Sequence, residues 1–415
     1  MEKTKKSTKR LKTAKELQMV VADYYQRCIS AGAEGRPVGW MPPMNGVIEL
    51  FYAMDLQPVF PENWSPVCAA FGLAPANFAV SENMGYSRDL CGYLRNIIGY
   101  VHGQMNEKDS PFGGLPVPDM LISPGGGGCV PVMKIFQELA RRFPDARVFY
   151  ADLPQVSVED IQEYHIDYAM AEAERLTDFI TETTGRRLDE DRLAEVVRLS
   201  DRACELWDEI MSFRRYRPVP FSAAEMGIMF VMVTLQGTQT AVDYLTRVRD
   251  EVRQKAESGI GVIENEKIRL FWDNIPLWYN MGLFTYFEKN GGVVVAETYS
   301  AAWSIRLDAG NPKRSLALKS LMSYPLVSCV SINKRKEMVL KACRDYAIDG
   351  VVFHRNKSCV PITLGQMEIK QALEKELGIP SVIIDADHMD ERNFSFAQFQ
   401  TRVDAFMEML SNRNK

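Results

Sequence analysis

Eight cysteines, at positions 28, 68, 91, 129, 204, 329, 343 and 359, are the residues of this chain best equipped for chemistry. No two form a C-x-x-C pair, which removes zinc ribbons, thioredoxin-type redox motifs and ferredoxin-type cluster runs. The first 16 residues are rich in lysine and lack an apolar stretch, so no secretory signal is expected and a disulfide framework is not either. The thiols therefore read as free groups or as ligands assembled in three dimensions. Only four histidines occur (His102, His165, His354 and His388), none in an H-E-x-x-H motif, which leaves little material for a His-rich zinc or iron centre.

Two of the cysteines are set apart by an internal repeat. The segment PDMLISPGGGGCVPVMKIFQELARRFPDARVFYAD can be laid beside DGVVFHRNKSCVPITLGQMEIKQALEKELGIPSVIIDAD. Each reads as strand, Cys-Val-Pro, amphipathic helix, strand and terminal Asp. Cys129 and Cys359 then lie where a parallel strand ends and a helix begins, the crevice at which open α/β sheets bind ligands. The helix N-terminus is expected to lower the pKa of a thiol placed there.

Gly125 to Gly128 form neither a G-x-G-x-x-G loop, because position 130 is Val, nor a phosphate loop ending in GKS or GKT. Their better use is to let the backbone approach something bulky beside Cys129, with N–H groups open to negative charge. Cys91 lies in YSRDLCGYLRNIIGY, where Ser87 is read as the cap of a helix with Asp89 in its first turn. Its own residues mark it only as a buried structural thiol, as do those around Cys28, Cys68, Cys204, Cys329 and Cys343. In FPENWSP, Glu62 is read as directly following a strand. Either it is a surface carboxylate, or Phe60 and Trp64 exclude water and make it a general base of raised pKa.

These groups need a scaffold. Residues 36 to 60 read as strand, helix, strand, with Val47, Leu50, Phe51 and Met54 at helical spacing. From Pro118 a βαβ unit follows, and about 155 to 260 reads as long polar helices with periodic apolar positions such as Leu193, Val196, Val197 and Leu199. KIRLFW and GGVVVAETY are read as strands, after which the βαβ rhythm returns up to a final helix, FAQFQTRVDAFMEML. The expected architecture is α/β: two Rossmann-like (flavodoxin-like) lobes facing each other, with an intervening helical segment. The bounds are a frayed basic N-terminal arm over 1–17, a first lobe over 18–154, a helical segment over 155–261 and a second lobe over 262–415. With 49 basic against 54 acidic residues the net charge is -5, so there is no overall positive field for nucleic acid. No run approaches the roughly 18 apolar residues of a membrane span, and the cytoplasm is the expected compartment.

Several stretches together resemble the family of the 2-hydroxyacyl-CoA dehydratases and the ATP-dependent benzoyl-CoA reductases, specifically its large iron-sulfur subunits. They are VGW with PVFPENW, MGYSRDLCGY, PDMLISPGGGGC, FWDNIPLW, VVVAETY, HRNKSCVP and IDADHMDERNFSFAQFQTRVDAFMEML, spread in order from about residue 36 to 411. The resemblance implies a [4Fe-4S] cluster held by Cys91, Cys129 and Cys359, with one iron open to water or substrate. It also implies an acyl-CoA substrate, a homologous second large subunit, and a separate ATP-hydrolysing iron-sulfur activator that injects one electron. In a dehydratase that electron makes a ketyl radical of the thioester, hydroxide leaves, and enoyl-CoA forms as the electron returns. In a benzoyl-CoA reductase two electrons are consumed by the aromatic ring. A third alternative is a non-catalytic electron-relay subunit. Glu62 stands in the Pro-Glu-Asn segment of related subunits, which implies a catalytic role. Trp64 replaces a histidine common there, and CVPITLGQ replaces a lysine-bearing version. Dehydration is the favoured activity.

Overall fold

Two parallel sheets of four strands, wound in the same order, position everything that follows in this computed structural model, which describes residues 10–43, 46–105, 110–124, 129–322 and 330–413. The first sheet holds β1 (Val38–Trp40), β2 (Gln57–Val59), β3 (Met120–Pro124) and β4 (Arg147–Ala151), in the order β2-β1-β3-β4. Around it lie α1 (Thr13–Ala31), α2 (Val47–Ala53), α3 (Pro61–Ala70), α4 (Ala74–Asn83), α5 (Gly92–Gly99) and α6 (Val130–Arg142). Pro61 starts α3 because its missing N–H costs nothing at the first helical position. Gly99 lets α5 press onto α4: a Cβ there would lie 1.8 Å from the Asn77 carbonyl oxygen.

Four helices follow, α7 (Glu163–Thr184), α8 (Glu190–Ser212), α9 (Phe230–Thr234) and α10 (Gln239–Glu257). The carboxylate of Asp189 caps α8 by accepting from the Arg192 amide at 3.0 Å. Leu193, Val196, Val197 and Leu199 are all buried, as their spacing requires. The basic start is less loose than its composition suggests. Residues 1–9 lie outside the described part, but Arg10 bonds Ser222 Oγ at 3.0 Å and Glu288 at 2.7 Å, and Leu11 is wholly buried. The expectation of a solvated arm fails from residue 10 onward, because buried carboxylates of the later chain hold it down.

The second sheet holds β5 (Ile268–Asp273), β6 (Gly292–Glu297), β7 (Gly350–Asn356) and β8 (Ser381–Ala386), in the order β6-β5-β7-β8. Every residue of β5 and β6 is buried, as parallel strands covered on both faces should be. The accompanying helices are α11 (Leu283–Lys289), α12 (Thr298–Ala301), α13 (Pro312–Leu321), α14 (Ile332–Asp345), α15 (Val360–Thr363), α16 (Gln366–Ala372) and α17 (Phe396–Arg413). Two local expectations are corrected. The strand read through GGVVVAETY stops at Glu297 and turns into α12. The Cys-Val-Pro segment after β7 forms a single separate turn, α15, because Gly365 at φ 86° breaks the chain before α16. Among the described residues no helix is long and apolar enough to cross a membrane.

Candidate functional site

The carboxyl ends of the strands deliver the chemistry. Glu62 follows β2, Cys129 follows β3, Tyr299 follows β6 and Cys359 follows β7, so equivalent strands of the two sheets each contribute one group. Gly125 to Gly128, the glycines expected to open space beside Cys129, lie outside the described residues. Cys91 comes from another direction, between α4 and α5. All three of these cysteines are helix N-caps: Cys91 of α5, Cys129 of α6 and Cys359 of α15. Each sulfur faces the backbone amide three residues on, at Leu94, Val132 and Ile362 respectively. The helix that Ser87 was expected to cap begins later, at Gly92; Ser87 instead accepts from the Asp89 amide at 3.2 Å in the preceding turn.

The three thiols form one electrostatic group. Burial raises Cys91 well above the ordinary thiol value, and the neighbouring Cys129 and Cys359 raise it further. Burial pushes Cys129 up to about 12, helped by Glu62 and Cys359. Cys359 is likewise pushed up to about 12 by burial, with Asp387 and Glu62 adding to it. The helix-terminal amides oppose these shifts without reversing them, so the expectation of thiols acidified by a helix N-terminus is overturned by desolvation. Cys28, Cys68, Cys204 and Cys343 are buried on α1, α3, α8 and α14, while Cys329 lies outside the described residues.

Glu62 lies just past the end of β2, as read from the sequence, in the first turn of α3 and one residue past Pro61. Trp64 does not shield it. That ring is fully buried elsewhere, edge-on to Tyr25 and Tyr100 with centroids at 4.9 and 5.4 Å. The groups that feel the Glu62 charge are the three thiols, Tyr93 and Tyr299. These two tyrosines close two of the resemblance stretches, MGYSRDLCGY and VVVAETY, but their own spacing does not single them out. Trp278 Nε1 donates to Tyr93 Oη at 2.6 Å, and the Trp278 ring stands edge-on to Tyr299 at 5.9 Å. Burial first, then Tyr299, raises Tyr93; burial and Glu62 raise Tyr299. On its other side the Tyr93 ring meets His388 at 4.3 Å, a histidine that burial lowers to about 4. Both hydroxyls thus stay protonated and able to donate.

Among the described residues no three His, Cys, Asp or Glu side chains close on a single metal ion. Three half-buried thiols on three separate helix ends suit a larger, polynuclear group. The donor set fits iron and sulfide: mutually opposed thiols next to a carboxylate gain most from a cation that deprotonates them outright.

Parallel α/β sheets that gather thiols, a carboxylate and a tyrosine at their carboxyl ends have the layout of an enzyme site. The chain belongs to the 2-hydroxyglutaryl-CoA dehydratase, D-component family, which it matches over residues 46–410. It is 28% identical over 408 residues to the (R)-phenyllactyl-CoA dehydratase alpha subunit of Clostridium sporogenes, covering 98% of this chain and 97% of that one. It is 26% identical over 397 residues to the alpha subunit of the lactoyl-CoA dehydratase of Anaerotignum propionicum, 92% of each. It is also similar to a benzoyl-CoA reductase subunit of Thauera aromatica, 27% identical over 350 residues, 80% of this chain and 79% of that one. The chain is a 2-hydroxyacyl-CoA dehydratase-like enzyme.

Proposed function

We propose that this chain is the iron-sulfur subunit of an ATP-activated enzyme that dehydrates a 2-hydroxyacyl-CoA to an enoyl-CoA. The single observation that carries the reading is the convergence of Cys91, Cys129 and Cys359, each an N-cap and each within electrostatic reach of at least one other and of Glu62. These three would hold a [4Fe-4S] cluster, which supplies one-electron chemistry to a thioester at its open iron. Glu62 takes the substrate proton. Tyr93, held by Trp278, and Tyr299, which hydrogen-bonds Tyr93, stand protonated within reach of the Glu62 charge.

In this reading the chain divides into an N-terminal stretch (1–17) that is packed down from residue 10, two Rossmann-like, flavodoxin-like lobes (18–154 and 262–415) that face each other across the thiols, and a helical segment (155–261). The shared strand order, which switches direction between β1 and β3 and again between β5 and β7, supports it. A homologous second large subunit and an ATP-hydrolysing activator complete the system in the cytoplasm. Val130 and Val360, each next to a ligand cysteine, are 64% and 59% exposed, which supports a covering partner. Reduction of a benzoyl-CoA-like ring is the second reading, favoured by the similarity to a benzoyl-CoA reductase subunit. Anaerobic assay with partner and activator decides between them: enoyl-CoA from a 2-hydroxyacyl-CoA supports dehydration, whereas a diene from an aromatic acyl-CoA supports reduction.

A further inference from the structure

Cys91 is gripped on both sides by the backbone next to it. The carbonyl of Leu90 accepts from Arg95 Nε at 3.0 Å, and Arg95 is itself wholly buried between Glu82 and Asp390. The amide of Gly92 donates to Ser358 Oγ at 3.1 Å, a contact between residues 266 positions apart. Ser358 is the residue immediately before Cys359. Its hydroxyl in turn donates to Asp387, whose Oδ1 also accepts the amides of Met389 and Asp390, each at 2.8 Å. The Ser358 amide donates to Asn356 Oδ1 at 3.3 Å, so both its backbone and its side chain are fixed. The approach is possible only because residue 92 is glycine: a Cβ there would lie 2.7 Å from Met389 Cβ and 3.0 Å from Asp387 Oδ1.

One hydroxyl therefore ties the chain neighbour of the first thiol to the chain neighbour of the third, across the junction of the two sheets. The geometry points to Ser358 as a positioning residue for the cluster: it fixes Cys91 relative to Cys359 through the Gly92 amide. This rests on the three-cysteine cluster reading. Without the hydroxyl, the Gly92 amide loses its acceptor and the tie between the neighbours of Cys91 and Cys359 is broken, and the hydrogen bonding around the ligands is among the determinants of cluster potential. Partners one step out from the ligands commonly change metal retention by 10–100-fold.

The test uses the full chain reconstituted anaerobically with iron and sulfide, as wild type and as Ser358→Thr, Ser358→Val and Ser358→Ala. Thr and Val share a shape and differ in the hydroxyl, so that pair decides the matter even if the Ala variant does not accumulate. The readouts are the EPR signal of the reduced cluster, its midpoint potential, and the rate of iron loss to a ferrous chelator. Ser358→Thr should match wild type, while Ser358→Val and Ser358→Ala should show a displaced potential, an altered EPR signal and about tenfold faster iron loss. A Val variant indistinguishable from Thr in all three overturns the role of Ser358 and leaves the cluster standing. A wild-type chain that takes up no cluster overturns both.

Discussion

Thiols that ordinarily titrate near 9 and are here pushed upward by burial and by one another have a large demand for a cation. Cys91→Ala, Cys129→Ala and Cys359→Ala should therefore each lose or destabilise the cluster, measured as iron and sulfide per chain after anaerobic purification. Cys204→Ala and Cys343→Ala, which touch only packed interior, should retain it. Glu62→Gln keeps size and hydrogen bonding but cannot take a proton, so turnover should fall roughly 100-fold or more with the cluster retained; near-normal turnover would assign the base to the partner subunit. Legibility at this scale is uneven. Cys129 and Cys359 stand out from the repeat, because two strand ends in one sequence pattern mark one kind of crevice. Cys91 is recognisable only by family resemblance, since a cysteine before a glycine at a helix start looks like any cap. Tyr93, Tyr299, Trp278 and Ser358 carry no spacing signal, for they converge from separate elements and only tertiary packing brings them together.

The elements carry these side chains through a few close contacts. Because a Cβ on Gly99 would strike the Asn77 carbonyl at 1.8 Å, Gly99→Ala must push α5, and with it Cys91, off α4. Overpacking of this kind costs about 1–3 kcal/mol, and a backbone obstacle sets it at the upper end. The midpoint of urea unfolding should drop accordingly, and an unchanged midpoint would mean that α5 is free to slide. Strands and long helices are readable from periodicity, including α8, whose apolar stripe is regular. The breaks are not: α12 begins inside an apolar run, and α15 is cut off by a glycine whose φ only the fold reveals. The helix that carries Glu62 is hidden for the same reason, since the strand before it is readable but Pro61 opens a helix that its neighbours do not announce.

Across the whole molecule, α4 and the turn after β8 are joined by an ionic network in which Arg392 contacts Glu82 at 2.5 Å and Asp390 at 2.7 Å, while Arg95 bonds both carboxylates. Arg392 holds Glu82 below its ordinary value; Asp390 is held low by Arg392 and Arg95 although burial opposes this. Depressed carboxylates contribute stability that is complete above their unfolded pKa values, about 4, and is lost as pH falls through the folded ones. Glu82→Gln should thus cost about 1–2 kcal/mol at pH 7 and progressively less as the pH falls below the unfolded carboxylate value and through the folded one; a pH-independent difference would remove the network from the joint between the sheets. That joint matters because it holds the residues flanking Cys91 and Cys359 together, and the activity rests on what the three thiols hold. The most direct measurement is the Mössbauer spectrum of the anaerobically reconstituted chain. One [4Fe-4S] cluster per chain, with a distinct iron site that no thiol occupies, is the predicted result. No cluster, or an undiminished one in all three of the Cys91→Ala, Cys129→Ala and Cys359→Ala variants, would contradict it.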